Sequence, residues 1–354
     1  MKVSLGWGRS PRDIDVPEGA ELLIPPPLPA ARIEAACAEA LANPIGAPRL
    51  RGRVPAGTRV TIIVSDDTRD EPRDEMVAAV LREIEVPVDV KIAVAYGTHA
   101  PGQSGEMIDV GMTARGTRVR YPDWLVRSEL VICTGMIRPH YFAGWGAGCK
   151  AIFPGLGHND DIRQNHKLKQ DPTARLGRAD GNVCREDMED AARLLPVPTF
   201  LLNLVLGGSA AVAGDLVAAH RAGVEVCRSF CQVKTTLADV IVTSDASPVS
   251  DSLYQASKLL VPAGLALRPG GVAVVAAECA AGTGPLKVVN EGIWAIGISN
   301  YFTDATIYLV SAMPRGVVEQ TYCRWAPSVE SVLERHPGRL TVMPRAGRLI
   351  PAVQ

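Results

Sequence analysis

Short apolar runs alternate with polar loops along the chain, and their lengths predict strands and helices in turn. Arg59-Val60-Thr61-Ile62-Ile63-Val64 is compact and β-branched, which predicts a buried strand emptying into the polar Ser65-Asp66-Asp67-Thr68-Arg69-Asp70. Asp74 to Glu83 fits a helix, and Val90 to Ala95 a second strand that ends at Tyr96-Gly97-Thr98-His99. A further helix is expected over Gly105 to Gly111. Leu130-Val131-Ile132-Cys133 reads as a third strand. Beyond it come His140, the glycines 144, 146 and 148, then Lys150 and His166. The rhythm of strand, polar loop and helix predicts a doubly wound α/β domain. Ligands bind such sheets beyond the carboxyl ends of the strands, so Asp66, Arg69, His99 and His140 are expected at one edge.

Before this block, residues 1–30 hold short β-like runs closed by the stiff Pro25-Pro26-Pro27, and a helix is expected over Ala30 to Ala42. After it, polar sequence runs to Asp190, then a strand over Val197 to Val205 and a long helix over Ala211 to Cys231. The pattern restarts with a strand over Ala238 to Thr243 and a helix over Ser252 to Leu260, on which Tyr254 and Lys258 share a face. Gly270 to Ala277 and Thr306 to Val310 complete it as strands. These elements predict two α/β domains, a Rossmann-like one over 1–231 and a smaller one over 232–354. The active site is expected in the cleft between them.

Composition narrows the function without naming it. A formal net charge of −1 gives no basic field for nucleic acid or an anionic membrane, and 5% aromatics offer no stacking platform. No run of about 18 apolar residues escapes charges or breakers, and Met1 leads into no signal-like segment. Eight cysteines lack paired spacing and read as reduced, mostly buried thiols of a cytoplasmic protein. Lone residues also have structural readings. His140 and His99 could be satisfied core or capping histidines, His166 could end a helix, and Asp66 and Arg69 could form a surface pair. His158, His220 and His336 are taken as structural, and Cys149 as a buried thiol.

An ordered set of motifs weighs against those structural readings. ANPIG at 42–46, SDDTR at 65–69, GTH at 97–99, PHYFAGW at 139–145, GCKAIFPG at 148–155, NH at 165–166, AGDLVAAHRAG at 213–223 and LYQASK at 253–258 all occur in sequence order. Together they resemble the nickel-pincer lactate racemase family over nearly the whole chain. The resemblance implies a nickel-pincer nucleotide, pyridinium-3-thioamide-5-thiocarboxylic acid mononucleotide with nickel, attached covalently at Lys150. It implies His166 as the nickel ligand and His99 and His140 as the acid/base pair. Asp66, Thr68, Arg69, Gly146, Gly148, Tyr254, Gln255, Lys258 and Trp294 are implied as cofactor contacts. Among these, Arg69, Tyr254, Gln255 and Lys258 also hold substrate, and cofactor-synthesis enzymes become implied partners.

That chemistry suits the residue types. The α-hydrogen of a 2-hydroxy acid is weakly acidic beside a carboxylate. Leaving as hydride while a base takes the hydroxyl proton gives a planar 2-keto acid that can be reduced on either face. Imidazole, with an unperturbed pKa of ~6.5, serves either direction, and it is a natural nickel ligand. Arg69 can bind the carboxylate as a fork, and the mononucleotide phosphate is expected on backbone N–H groups of the 144–148 loop. The expected function is racemisation or epimerisation of a 2-hydroxy acid. The alternatives are a nickel-pincer oxidoreductase releasing the keto acid and a non-catalytic mononucleotide- or small-ligand-binding protein. Three departures concern the substrate pocket: Cys149 precedes Lys150 where the family usually has arginine, Trp145-Gly146-Ala147-Gly148 stands where it has an aromatic-serine-glycine-glycine run, and the stretch from Gly282 to Gly292 is short.

Overall fold

The protein is described from a computed structural model, which covers residues 1–67, 69–97 and 105–354. Thr68 and His99, both expected at the site, lie outside the described residues. The chain divides into two compact units, one of residues 27–230 and one of residues 1–26 with 231–354. One boundary falls inside the Pro25–Pro27 run. Residues 1–26 therefore group with the C-terminal part and not with the N-terminal domain to which the sequence assigned them.

The 27–230 unit is built on a five-stranded sheet ordered Ala211–Gly214, Thr199–Val205, Leu130–Ile137, Arg59–Ser65, Asp89–Ala95. All neighbours are parallel except the first pair. Leu130–Ile137 is buried at every position, as a central parallel strand covered on both faces must be. On one face the helices Ile33–Ala42 and Arg73–Ile84 seat Cys37, Leu41, Met76 and Val80 against Val60, Ile62 and Ile132. On the other, Gly223 of the Ala218–Cys231 helix lets that helix approach Ile137 and Val212. Helices on both faces make this unit doubly wound.

Three expected elements differ. The stretch from Gly105 to Gly111 is not helical: Met107–Met112 is a strand pairing with Arg118–Pro122, Ile108 opposite the fully buried Tyr121. Its period-2 apolar positions outweighed the local guess. Residues 211–231 are a strand and a separate helix, because Gly214 takes φ +127 and the Asp215 carboxylate caps the new helix, accepting from Val217 and Ala218 N–H at 2.9 and 2.8 Å. The polar stretch before Asp190 contains the Val183–Arg193 helix, capped by Asn182.

The other unit carries a six-stranded, wholly parallel sheet ordered Arg324–Trp325, Thr306–Val310, Leu267–Ala276, Ala238–Ser244, Leu340–Met343, Glu21–Leu22. Val240, Val242, Val274 and Val342 form its core with Leu5 and Ile14 from the chain's beginning. The helix expected over Ser252 to Leu260 is three successive pieces, Leu253–Ala256, a 3-10 turn Ser257–Leu259, and Leu260–Ala266. Pro262 is tolerated in the first turn of the last piece.

Candidate functional site

Asp66 and Arg69 follow the Arg59–Ser65 strand, and His140 follows its parallel neighbour Leu130–Ile137. Asp66 is buried, and its carbonyl accepts from the Arg69 N–H at 3.1 Å. His140 starts a tight hairpin, Pro139–His140 against Gly144–Trp145, that leads into the short 3-10 turn Gly148–Ala151. Lys150 sits on that turn. His166 ends the Asn159–His166 helix.

These three side chains meet on one ring. The Lys150 Nζ lies 5.5 Å from the Phe142 ring centroid, and the imidazoles of His140 and His166 meet the same ring edge-on at 4.6 and 5.0 Å. Lys169 approaches it too, its Nζ 4.7 Å from the centroid and 3.5 Å from the Tyr141 hydroxyl. Phe142, Tyr141 and Lys169 had no assigned role in the sequence reading. Nothing in a single sequence says which aromatic a lysine will rest on, although all three lie within or just after the motifs quoted for the resemblance.

Electrostatics set these groups apart. Part of the Lys150 side chain stays accessible, yet protein surrounds the amine closely enough that burial brings it from 10.5 down to about 7, helped by Arg185 and Arg69. Burial likewise brings Lys169 to about 8. It holds His166 well below 6.5, with Lys169 and Lys150 adding repulsion, so the imidazole is neutral and can act as a ligand.

A buried network assigns the tautomer of His166. Asp187, fully buried on the Val183–Arg193 helix, accepts from the Thr117 hydroxyl at 2.7 Å and from Asn165 Nδ2 at 2.8 Å. The Asn165 amide nitrogen also donates to the Cys184 carbonyl, so its Oδ1 must be the end facing His166 Nδ1 at 3.1 Å. His166 therefore carries its hydrogen on Nδ1 and presents the Nε2 lone pair. In His140 the roles reverse, since Nδ1 accepts from the Ala143 N–H at 3.3 Å and the neutral ring holds its hydrogen on Nε2.

The loop that carries Lys150 is held by Arg185, a residue the sequence reading passed over. Its guanidinium is fully buried and donates to the carbonyls of Ala143 at 3.0 Å and Trp145 at 2.6 Å, and to Cys149 Sγ at 3.6 Å. Glu189 lies 3.5 Å away as its counter-ion. His220 adds a bond to the Gly146 carbonyl at 2.8 Å, and Gly148, at φ +68, is so close to that imidazole that a Cβ would stand 2.7 Å from its Cδ2. Cys149 is a buried thiol pushed up to about 12 by burial, with no nucleophilic character at neutral pH.

One expectation about this loop is corrected. Its N–H groups were expected to cradle phosphate, but three are already engaged: Trp145 with the Ala143 carbonyl, Gly146 with the Arg138 carbonyl, and Gly148 with Asn203 Oδ1 at 2.9 Å. Gly146 and Gly148 shape the loop and offer no open donor.

Within the other unit, Lys258 Nζ donates to Gln255 Oε1 at 2.6 Å and lies 5.3 Å from the Tyr254 ring, so these three come together as expected. Trp294 stacks flat on Tyr322 at 4.4 Å, and the Tyr322 hydroxyl reaches Ser257 Oγ, next to Lys258. All eight cysteines are buried. Among the described residues no helix is long and apolar enough to cross a membrane, and no cluster of three His, Cys, Asp or Glu could hold a metal by itself.

A family model of the lactate racemase N-terminal domain matches residues 7–109 and 102–177. The lactate racemase of Thermoanaerobacterium thermosaccharolyticum is 31% identical across 69% of this chain and 66% of its own length. The chain belongs to the lactate racemase family. The lactate racemase of Lactiplantibacillus plantarum is 27% identical, with 70% of this chain and 66% of that one covered. The chain thus spans just under two thirds of each of these curated relatives. In structure, the lactate racemase apoprotein of T. thermosaccharolyticum shares the fold with a TM-score of 0.87, over 99% of this chain and all of that one, at 24% identity. A crystal structure of a Thermotoga maritima protein shares it more loosely, with a TM-score of 0.62 at 12% identity, over 91% and 98% of the two chains.

Proposed function

We propose that this lactate racemase family member is an isomerase that racemises or epimerises a 2-hydroxy acid, using a nickel-pincer nucleotide attached at Lys150. The observation that carries the reading is the convergence on Phe142 of a lysine whose amine is half deprotonated near pH 7 and a neutral histidine with its Nε2 lone pair presented.

The donor set fits such a group. A metal held wholly by the protein would need several side-chain ligands, and no such cluster exists among the described residues. A metal carried by an organic ligand needs only one, which His166 supplies. The neutral Lys150 amine is the nucleophile that an amide or thioamide linkage requires. When bound, the pincer would supply hydride acceptance and return at the substrate's α-carbon. The chain's own residues do the rest. Arg69, beyond the Arg59–Ser65 strand, offers a fork for the substrate carboxylate. His140 holds a proton on Nε2 for the oxygen of the keto acid and takes it back from the hydroxyl in the reverse direction. His99 is its expected partner. Asp66 and Thr68 remain cofactor contacts, and Tyr254, Gln255, Lys258 and Trp294 cofactor or substrate contacts, on the resemblance alone.

The test is intact mass and nickel content of protein co-expressed with the pincer-synthesis enzymes, beside chiral analysis of a 2-hydroxy-acid panel that includes lactate. A cofactor-sized adduct with nickel, lost in Lys150→Ala, together with inversion of one acid, is expected. An unmodified, metal-free wild type that inverts nothing would overturn the reading, and free keto acid without inversion would replace it with an oxidoreductase.

A further inference from the structure

Half-buried cations elsewhere in the 27–230 unit have carboxylates. Arg120 meets Asp161, Arg221 meets Glu189 at 2.8 Å, and Arg138 meets Glu71 at 3.0 Å. Lys150 and Lys169 differ: among the described residues neither has a carboxylate within salt-bridge distance, although both are drawn in against Phe142. The partners of Lys169 are the Tyr141 hydroxyl at 3.5 Å and the faces of Phe142 and Tyr141 at 4.7 and 5.9 Å. Aromatic faces offset only part of the hydration that an ammonium loses. Attachment of a group to Lys150 through an amide or thioamide removes one of the two charges. Lys169 is then the cation left on the ring, with a hydroxyl beside it and no carboxylate in salt-bridge reach among the described residues.

We propose that Lys169, with the Tyr141 hydroxyl, binds an oxyanion of the ligands at this site, either the carboxylate of the 2-hydroxy acid or the phosphate of the mononucleotide. The identity of the anion rests on the function proposed above. The uncompensated charge does not, because it is a property of the bare chain. An ammonium and a hydroxyl converging from one side suit a carboxylate or phosphate, which accepts from both at once. The sequence numbering explains why Lys169 can do this: it lies three residues past His166, on the 3-10 turn Lys167–Gln170 that continues the helix of the nickel ligand. A ligand held by His166 therefore comes within reach of the same segment.

The experiment is calorimetric titration of the full-length, unmodified chain with inorganic phosphate and with D-lactate, each against chloride at equal ionic strength. Wild type, Lys150→Met, Lys169→Met and Lys169→Arg are compared, with Lys169→Gln in reserve should the methionine variant not fold. One of the two anions is expected to bind wild type and Lys150→Met, about tenfold or more weaker to Lys169→Met, and within roughly threefold of wild type to Lys169→Arg. Phosphate as the binder points to the nucleotide, and lactate to the substrate. Binding no stronger than chloride in Lys150→Met, or unchanged binding in Lys169→Met, would overturn the proposal. Intact mass separates this result from the tether: Lys169→Met, co-expressed with the synthesis enzymes, is expected to keep whatever adduct wild type carries. An adduct lost in Lys169→Met whose anion binding is unchanged would assign Lys169 to attachment, against the proposal.

Discussion

Arg185 and Lys150 both serve the segment 143–150, and the protein treats their charges in opposite ways. Arg185 is wholly buried, yet its guanidinium is answered by loop carbonyls and by Glu189. Lys150 is less completely enclosed and has an aromatic face where a counter-ion would be. A buried charge with every donor used is architecture, because removing it strands its partners. A cation pressed against a phenyl ring without an anion is held at a cost, and its natural relief is to lose a proton, gain an acyl group or meet an anionic ligand. Burial depth alone would have ranked Arg185 as the more interesting residue. Satisfaction of its hydrogen bonds shows that it is scaffold.

The contrast breaks most visibly in stability. Arg185→Met is expected to lose about 3–5 kcal/mol in urea unfolding, the range for removing one partner of a buried ion pair. Lys150→Met should be as stable as wild type or more so. Equal losses in the two variants would erase the distinction. Gly148→Ala comes next, with an expected loss of about 1–2 kcal/mol for a side chain at positive φ, and more if His220 cannot yield. An unchanged melting temperature there would mean the loop is not held as described.

A gentler measurement sharpens the comparison through pH. Competitive acetylation read by mass spectrometry should show Lys150 reactivity rising through about pH 7 and then levelling, while surface lysines keep rising towards pH 10. The sign for stability follows. The folded amine titrates near 7 and the unfolded one near 10.5, so between those values the unfolded chain binds more protons and stability rises with pH. Lys150→Met should flatten that rise, leaving a smaller slope above about pH 8 from Lys169. A Lys150 that titrates like a surface lysine would remove the electrostatic basis of the tether.

Much of the framework was legible because it is written in local pattern. The β-branched run 59–64 and Thr306–Val310 announce themselves as strands, and both are. Lys150, His140 and His166 stood out because they sit in motifs, and they do converge. Phe142, the ring on which they converge, lay inside a quoted motif without a role, because its role exists only through the packing of three separated segments. Arg185 looks like any helical arginine until the loop carbonyls close over it. The loop's own N–H groups show the opposite failure: a glycine-rich run reads as an anion cradle, but Asn203, more than fifty residues on, had already taken the Gly148 donor. Asp215 and Asn182 were readable signals, since an aspartate or asparagine directly after a glycine commonly starts a new helix.

The chain order of the two units carries a consequence for synthesis. Residues 27–230 are contiguous, so everything that shapes the Lys150 loop, Arg185 and His220 included, is available once the ribosome has passed Phe230. The other unit cannot close that early. Its Glu21–Leu22 strand pairs with Leu340–Met343, so a segment made before the 27–230 unit waits for one made well after it. During translation the unit that bears the lysine can reach its folded form while its neighbour is still a growing chain.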